Sequence, residues 1–553
     1  SEMEAPTKPV HKPLKLALLV GSSWAVSQLD YNSTQVCVPL IQQYYGLPES
    51  SVQWIQILFS ISIASVSVVA GKLGDRLGGD RVLKWSLFLS FLLNLVQYWA
   101  PTFNVRLGAR ILVSMVYGMG SANSGPNYLR IAGPKMLPMC LALHTLVGTV
   151  VMILSPIMAG YVAGLSDDPA NPTWPYIYLV VSALAFVWWV ANVLYLPKTD
   201  RISEGAFDGL GGLLFTLVTL SLVFGLAAIP MDTVKMLYSL LSLTLCACLL
   251  PVLFWHESRH PTPIIPTKLL SHKKAKNALM AGIFFMICIQ SLMYFFTYVF
   301  EWVFHLDVGT AGLCMAITPV GIAVSSVLVG RAMQRIAARP ILMFGMTCTT
   351  LVCIPIALAV IPCDSLAMYV TSLSIFSAFA GTFGVTNQSN LIASMPRMYA
   401  GVVGALLVAV NQAGKSTGIA AAVLLQKMYA TRLSGWEGPI PAGVPTPEYL
   451  PYYTRSIVFV TLAAMVFGVV SLTCIPGIGY SENDRGKRFT KESRVETVTL
   501  DSDVVREGSS LLDKATPLVH SRDRREGEDT VYTIPSQAHG VGEVEETESD
   551  DIS

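Results

Sequence analysis

Apolar residues run along this chain in long blocks, without the period of two or 3.6 that marks half-buried strands and surface helices. A hydrocarbon core of about 30 Å takes about 20 apolar residues of helix to cross. Runs of that length, bounded by charge, Pro or Gly, occur at 16–39, 53–73, 82–100, 105–128, 138–164, 174–196, 209–229, 236–255, 277–302, 310–330, 340–361, 366–392, 400–426 and 455–476. The pattern predicts an all-α polytopic membrane protein with 14 transmembrane helices. The first run is longer than a cleavable signal and contains Asp30, so it is expected to stay in the mature protein.

Charge between the runs orients them. With the N-terminus inside, the short cytoplasmic segments and adjoining helix ends carry 20 Lys and Arg, against 5 on the other side. Lys and Arg are retained in the cytoplasm, so both termini are expected there. Composition agrees with a membrane chain: of 553 residues, 53% are hydrophobic and only 13% charged, with mean hydropathy +0.54. Those proportions exclude a water-soluble enzyme. A net charge of +1 suggests no nucleic-acid partner. It conceals an asymmetry, because residues 476–553 hold 10 basic and 18 acidic residues. Rich in Ser, Thr, Glu and Arg, 477–553 reads as a disordered acidic cytoplasmic tail, with regulation or trafficking, or plain solvation, as its alternatives. The loop 427–454 carries Trp436 and a Pro/Gly-rich stretch, a semi-rigid external cap. The ten cysteines form no disulfide framework or zinc pattern. Cys37 and Cys363 could both lie near the outer surface.

An internal repeat divides the chain. Gly71-Lys-Leu-Gly-Asp75-Arg76-Leu-Gly78 and Gly330-Arg-Ala-Met-Gln-Arg335 follow the second and tenth runs at an offset of 259 residues. Repeated halves characterise secondary transporters, and the partition becomes 1–15, a cytoplasmic N-terminal segment; 16–196, a six-helix bundle; 197–276, two extra helices with a cytoplasmic loop; 277–476, a second six-helix bundle; and the tail.

Several polar residues sit where lipid would penalise them. Asp30 lies about 15 residues above the cytoplasmic end of its helix, roughly 22 Å at 1.5 Å per residue. A carboxylate near mid-membrane must be paired, hydrated or protonated. It can therefore exchange a proton, or serve as a structural hydrogen-bond partner. Lys415 lies at similar depth, one turn from Asn411 on the same face. Three roles fit it: ion partner of Asp30, docking point for an anionic or carbonyl-bearing solute, or a snorkelling lysine. Gln290, Tyr294, Tyr298 and Glu301 form one stripe that should face a cavity or another helix, unless its outer pair belongs to the interfacial belt. Gly414-Lys415-Ser-Thr-Gly418 matches the end of a phosphate loop and a nucleophile elbow in letters only, since an apolar helix surrounds it. Neither an enzyme nor a nucleotide site is expected, and no cofactor. Asn32-Ser-Thr34 and Asn387-Gln-Ser389 are glycosylation sequons inside predicted spans, out of reach of that machinery.

The motifs now resemble the major facilitator superfamily, and within it the fourteen-helix drug:H+ antiporter group of fungal type. Leu29-Asp30 with Val38-Pro39 resembles that group's helix 1 signature, and Trp54 stands at the start of helix 2 as it does there. Gly71-x-Leu73-x-Asp75-Arg76-x-Gly78 is similar to the superfamily's loop motif. Arg110 keeps the spacing of the helix 4 arginine, although the Gln and Gly that usually follow are replaced by Val113 and Ser114. Ser155-Pro156-Ile-Met-Ala159-Gly160 falls where the helix 5 antiporter motif would, with two glycines replaced by Ser and Ala. Phe207-Asp208-x-x-Gly211 resembles the entry to helix 7.

The resemblance implies that Asp30 and Arg110 couple protons, with an Arg reaching the outer interface as the alternative. Trp54, Gln290, Tyr294, Asn411 and Lys415 are then candidates for the solute cavity. Asp75 and Arg76, framed by Gly71 and Gly78, become a conformational latch. The implied function is export of a small organic solute, a drug, toxin or secondary metabolite, in exchange for protons by alternating access. A monomer in the plasma membrane is expected, or in the vacuolar membrane. Uptake or facilitated movement of a nutrient or ion, and a non-transporting sensor, are the competing functions.

Overall fold

The computed structural model describes residues 13–166, 172–199, 208–229, 236–260, 273–333, 336–360, 365–393, 400–433, 435 and 445–478. Expectations for residues 1–12, Phe207, Arg335, Cys363, Trp436 and its surrounding loop, and the tail from 479 lie outside the described residues.

The helices, in chain order, are α1 (Pro13–Val36), α2 (Val38–Tyr45), α3 (Glu49–Val52), α4 (Trp54–Leu77), α5 (Gly79–Tyr98), α6 (Phe103–Ala122), α7 (Ser124–Ala163), α8 (Tyr176–Tyr195), α9 (Gly209–Ala228), α10 (Met236–Arg259), α11 (Lys273–Tyr298), α12 (Val308–Ala332), α13 (Ala338–Val360), α14 (Leu366–Ala393), α15 (Ala400–Met428) and α16 (Leu450–Cys474). Single π-helical turns extend α11 over Val299–Val303 and α15 over Tyr429–Leu433.

Among the described residues, ten spans are long and apolar enough to cross a membrane: α4, the Leu143–Ala163 part of α7, α8, α9, α10, α11 with its π turn, the Val308–Ser325 part of α12, α13, the Leu366–Leu391 part of α14, and α16. The predicted crossings on α1, α5, α6 and α15 are helices of lower apolar content. They carry Asp30 on α1, Asn94 and Gln97 on α5, Arg106 and Arg110 on α6, and Asn411 and Lys415 on α15.

Burial inverts the pattern of a soluble protein. Ser23, Asp30, Asn94, Arg110 and Asn192 are buried, whereas Trp85, Leu194, Leu237 and Val466 are exposed. Interior hydroxyls close on their own helices, as where Ser67 donates to the Ile63 carbonyl at 2.6 Å, leaving few polar atoms for lipid to meet.

One boundary differs from expectation. The sequence predicts a loop at 129–137 between the fourth and fifth runs, but α7 is continuous over Ser124–Ala163 and the break falls at Asn123. Asn123 Nδ2 donates to the carbonyls of Ala70, at 2.9 Å, and Met119, at 2.8 Å. Pro126 causes no interruption, because it lies in the first turn, where a helix has no use for its N–H.

The first six long helices and the last six meet along two symmetric contacts, α4 with α15 and α7 with α12. α9 and α10 pack on each other, and α9 also touches α4 and α15. α1 and α11, opposite each other in the two halves, line the centre.

Candidate functional site

Asp30 and Arg110 form an ion pair through Oδ1 and Nη1, and both side chains are completely buried. Thr34, one turn along α1, donates to the same Asp30 oxygen at 3.3 Å and lies 3.5 Å from the Tyr178 hydroxyl. Arg110 Nε donates to the Ile55 carbonyl at 3.4 Å, and its guanidinium stands over the Phe59 ring at 4.5 Å. Arg110 is therefore an interior residue in this structure and does not extend to the outer interface. Arg106, one turn away, lies against the rings of Trp174 and Tyr178 at 4.7 and 5.1 Å.

Beyond Phe59 the chain of contacts crosses between the halves. Phe59 meets Tyr31 at a ring separation of 5.2 Å. The Tyr31 hydroxyl accepts from Gln290 Nε2 at 2.9 Å, and Lys415 Nζ sits over the same ring at 5.0 Å. Asp30 thus has Arg110 as its ion partner, and Lys415 makes no ion pair with any described residue. Tyr31 escaped the sequence reasoning, yet a signal existed. It precedes Gln290 by 259 positions, the offset of the repeat, so Tyr31 touches its own counterpart on the axis relating the halves.

The α11 stripe continues outward against α1 and α2. Tyr294 and Tyr298 hydroxyls lie 3.3 Å apart, and Tyr298 donates to Gln42 Oε1 at 3.1 Å. Gln35 Nε2 donates to the Met293 carbonyl at 2.7 Å, and Thr297 donates to the Gln35 carbonyl at 3.3 Å. The stripe therefore faces the opposite half.

Asn411 borders Gly282 of α11, where a Cβ would meet its Oδ1 at 3.6 Å. Gly414 and Gly418 let α15 approach α11 so closely that a Cβ would stand 3.0 Å from the Ile283 carbonyl and 2.8 Å from the Ile287 carbonyl, respectively. Trp54 belongs elsewhere, its ring stacked on Phe224 of α9 at 5.4 Å. The structure does not bring it to the Tyr31 cluster.

The motif expected as a loop after the second run instead forms the last turns of α4 up to its cap, Gly78, and is tied at two points. Asp75 pairs with Arg130 of α7, whose Nη1 also donates to the Gly74 carbonyl at 3.3 Å. Arg76 is exposed and makes no ion pair among the described residues. The partner-making acids are thus Asp75 and, unanticipated, Asp80. Asp80 Oδ1 accepts from the Thr199 backbone N–H at 3.1 Å and hydroxyl at 2.9 Å, and Lys84 reaches Oδ2 at 3.2 Å. Burial disfavours the Asp80 charge, but the Thr199 hydrogen bonds and the Lys84 ammonium outweigh it and hold the carboxyl below the usual range. Gly78 turns the chain at φ +97°, a left-handed conformation suited to glycine. Gly71 approaches Ala405 of α15, its Cβ position lying 3.9 Å from that of alanine.

The helix 5 motif makes the other contact between halves. The Ser155 carbonyl accepts from Ser33 at 3.2 Å. A Cβ on Gly160 would meet the Val308 carbonyl at 2.8 Å and Gly309 Cα at 3.1 Å, and one on Gly312 would strike the Pro156 carbonyl and meet Gly160 Cα at 3.3 Å. Small residues on both helices permit this approach.

The arrangement is that of two helical halves closing on a central polar cluster. A family model described as the Major Facilitator Superfamily matches residues 21–419. The chain belongs to this superfamily. Proteins similar to it in sequence include the drug efflux pump JefA of Mycobacterium tuberculosis, 25% identical over 368 residues, covering 64% of this chain and 68% of that one. The multidrug transporter mfsC of Aspergillus fumigatus is 24% identical over 272 residues, 48% of this chain and 51% of that protein. Among solved structures, the human organic anion transporter MFSD10 superposes with a TM-score of 0.58 at 12% identity, over 85% of this chain and all of that one. That likeness concerns the fold alone. A superfamily member is an integral multi-pass membrane transporter for small molecules and not an enzyme.

Proposed function

We propose that this transporter exports a small organic solute in exchange for protons, through 14 transmembrane helices arranged six, two and six with both termini in the cytoplasm. The observation that carries the proposal is the completely buried Asp30–Arg110 pair between α1 and α6, beside the contacts where the halves meet. When ionised, Asp30 is held by Arg110 and Thr34. A proton arriving at the carboxylate from the outer side removes its charge, weakens the pair and lets α1 shift against α11, carrying Tyr31 away from Gln290. Release of that proton inward restores the pair. The two states then differ by discrete contacts that protonation biases, as coupling requires.

Lys415 supplies a cation facing Tyr31 with no carboxylate partner among the described residues. The solute is accordingly one that presents an anionic or carbonyl group to α15 and an apolar or aromatic body to Tyr31 and Tyr294. Asp75 with Arg130 serves as a latch on the cytoplasmic side. The protein works as a monomer in the plasma membrane, with the vacuolar membrane as the alternative site, and uses the ion gradient without nucleotide. The drug-efflux relatives support export as the direction.

The test is solute flux in sealed vesicles under an imposed pH gradient, comparing wild type with Asp30→Asn over anionic, neutral and cationic organic solutes. Gradient-driven flux in wild type, lost in the variant while solute exchange without a gradient persists, is the expected result. Full gradient-driven flux in Asp30→Asn would overturn the coupling role.

A further inference from the structure

The inserted helices carry a cluster that the transport cycle does not use. Asp208 caps the start of α9, its Oδ1 accepting from the Gly211 N–H at 2.8 Å. The end of α10 brings two imidazoles to the same carboxylate: His256 Nε2 lies 2.8 Å from Oδ1 and His260 Nδ1 lies 3.6 Å from Oδ2. The His260 N–H donates to the His256 carbonyl at 3.0 Å, so the helical path persists through both residues and their rings share one face, 5.3 Å apart. One ligand atom from each of Asp208, His256 and His260 lies within 4.8 Å of the others.

Two histidines four residues apart on a helix, with a carboxylate from a neighbouring element, form a frequent chelate for zinc. Ligand atoms about 2.1 Å from a tetrahedral zinc stand roughly 3.4 Å apart. The present spacings bracket that value, so small side-chain rotations would accommodate an ion. Gly211 contributes room: a Cβ there would collide with Asp208 Oδ2 and lie 2.8 Å from Glu257 Oε1. Asp208 is buried, and a buried carboxylate is stabilised by a cation beside it. The imidazoles remain partly accessible, with 16% and 22% of their side-chain surface exposed, so an ion has a way in. Imidazole nitrogens favour a borderline transition ion over Mg2+ or Ca2+, which seek oxygen.

We propose that Asp208, His256 and His260 form a binding site for a divalent transition ion, with Zn2+ the best match, clasping the start of α9 to the end of α10. An ion held by three protein groups keeps a fourth position for water and joins the two inserted helices more firmly than the Asp208–His256 contact alone. The proposal stands independently of the proton-coupling role of Asp30.

The experiment uses the full chain, tag-free, purified in detergent and stripped with a chelator. Zn2+ binding is followed by titration calorimetry at pH 7, and Co2+ is used as a visible probe of geometry. Wild type should take up about one Zn2+ per chain at this site and give the intense d–d bands of a tetrahedral Co2+ centre. His260→Gln leaves the α9 cap and the Asp208–His256 contact in place, so it should fold normally. It and His256→Gln should each weaken binding on the order of ten-fold or more, the scale that even groups behind a ligand show. No saturable Zn2+ uptake by wild type would overturn the proposal, as would uptake unchanged in both variants.

Discussion

A carboxylate shut away from water within a membrane bundle has to meet a proton or a cation, and at Asp30 the Arg110 guanidinium fills that need. Removing one member of such a pair leaves the other charge uncompensated, at a cost of about 3–5 kcal/mol. Asp30→Asn and Arg110→Gln should each destabilise the protein by that order, seen as a lower thermal denaturation midpoint in detergent. The double variant leaves no lone charge, so it should be more stable than the sum of the singles predicts, with a coupling of at least about 1 kcal/mol. Additive losses would mean that the pair contributes little as a pair. Lys415→Met tests solute chemistry at the same scale. It retains the stem's bulk but loses the charge above Tyr31, and should raise KM for anionic solutes about ten-fold, the equivalent of roughly 1.4 kcal/mol, while neutral solutes change little. Direct flux measurements distinguish the two classes.

Helices approach one another here through positions where a side chain is missing. Gly160 and Gly312 let α7 and α12 touch backbone to backbone. Gly160→Val should place branched carbons against the Val308 carbonyl and cost about 1–3 kcal/mol, visible as a lower melting temperature and reduced flux from protein that still inserts. The Asp80–Thr199 clasp between α5 and the segment after α8 has a defined pH window. A carboxyl whose folded value lies below its unfolded value of about 4 stabilises the protein above that value, and the contribution fades as pH falls through the folded one. Wild-type stability should therefore carry this term unchanged between pH 5 and 8, by that argument, and lose it below about pH 4. Asp80→Asn should be less stable at pH 7 by about 1–3 kcal/mol and lack that part of the acid dependence, as thermal melts at several pH values would reveal.

At the scale of the whole molecule, α4 meets α15 near Gly71 while α7 meets α12 near Gly160, so the halves touch through two helix pairs at once. Alternating access requires these contacts to open in turn. The Cβ positions of Gly71 and Ala405 are 3.9 Å apart, within the span of about 3.5–4.5 Å that a disulfide bridges. The double variant Gly71→Cys/Ala405→Cys should cross-link on oxidation, stop flux and recover it on reduction; unimpaired flux in the cross-linked protein would show that this contact need not open. Much of this architecture was legible beforehand, because hydropathy is a property of neighbouring residues and survives any later packing. It determined the order of the long helices and the identity of the polar residues out of place in lipid, Asp30, Arg110, Gln290 and Lys415 among them. Which of those residues meet was decided only in three dimensions. Arg110 reaches Asp30 across 80 positions and Gln290 reaches Tyr31 across 259, and Trp54 turns toward Phe224 instead of Lys415. The rotation and crossing of packed helices select such partners, and these depend on where small residues such as Gly160, Gly312 and Gly418 allow close approach. A linear pattern contains the small residues but not the surface each will face.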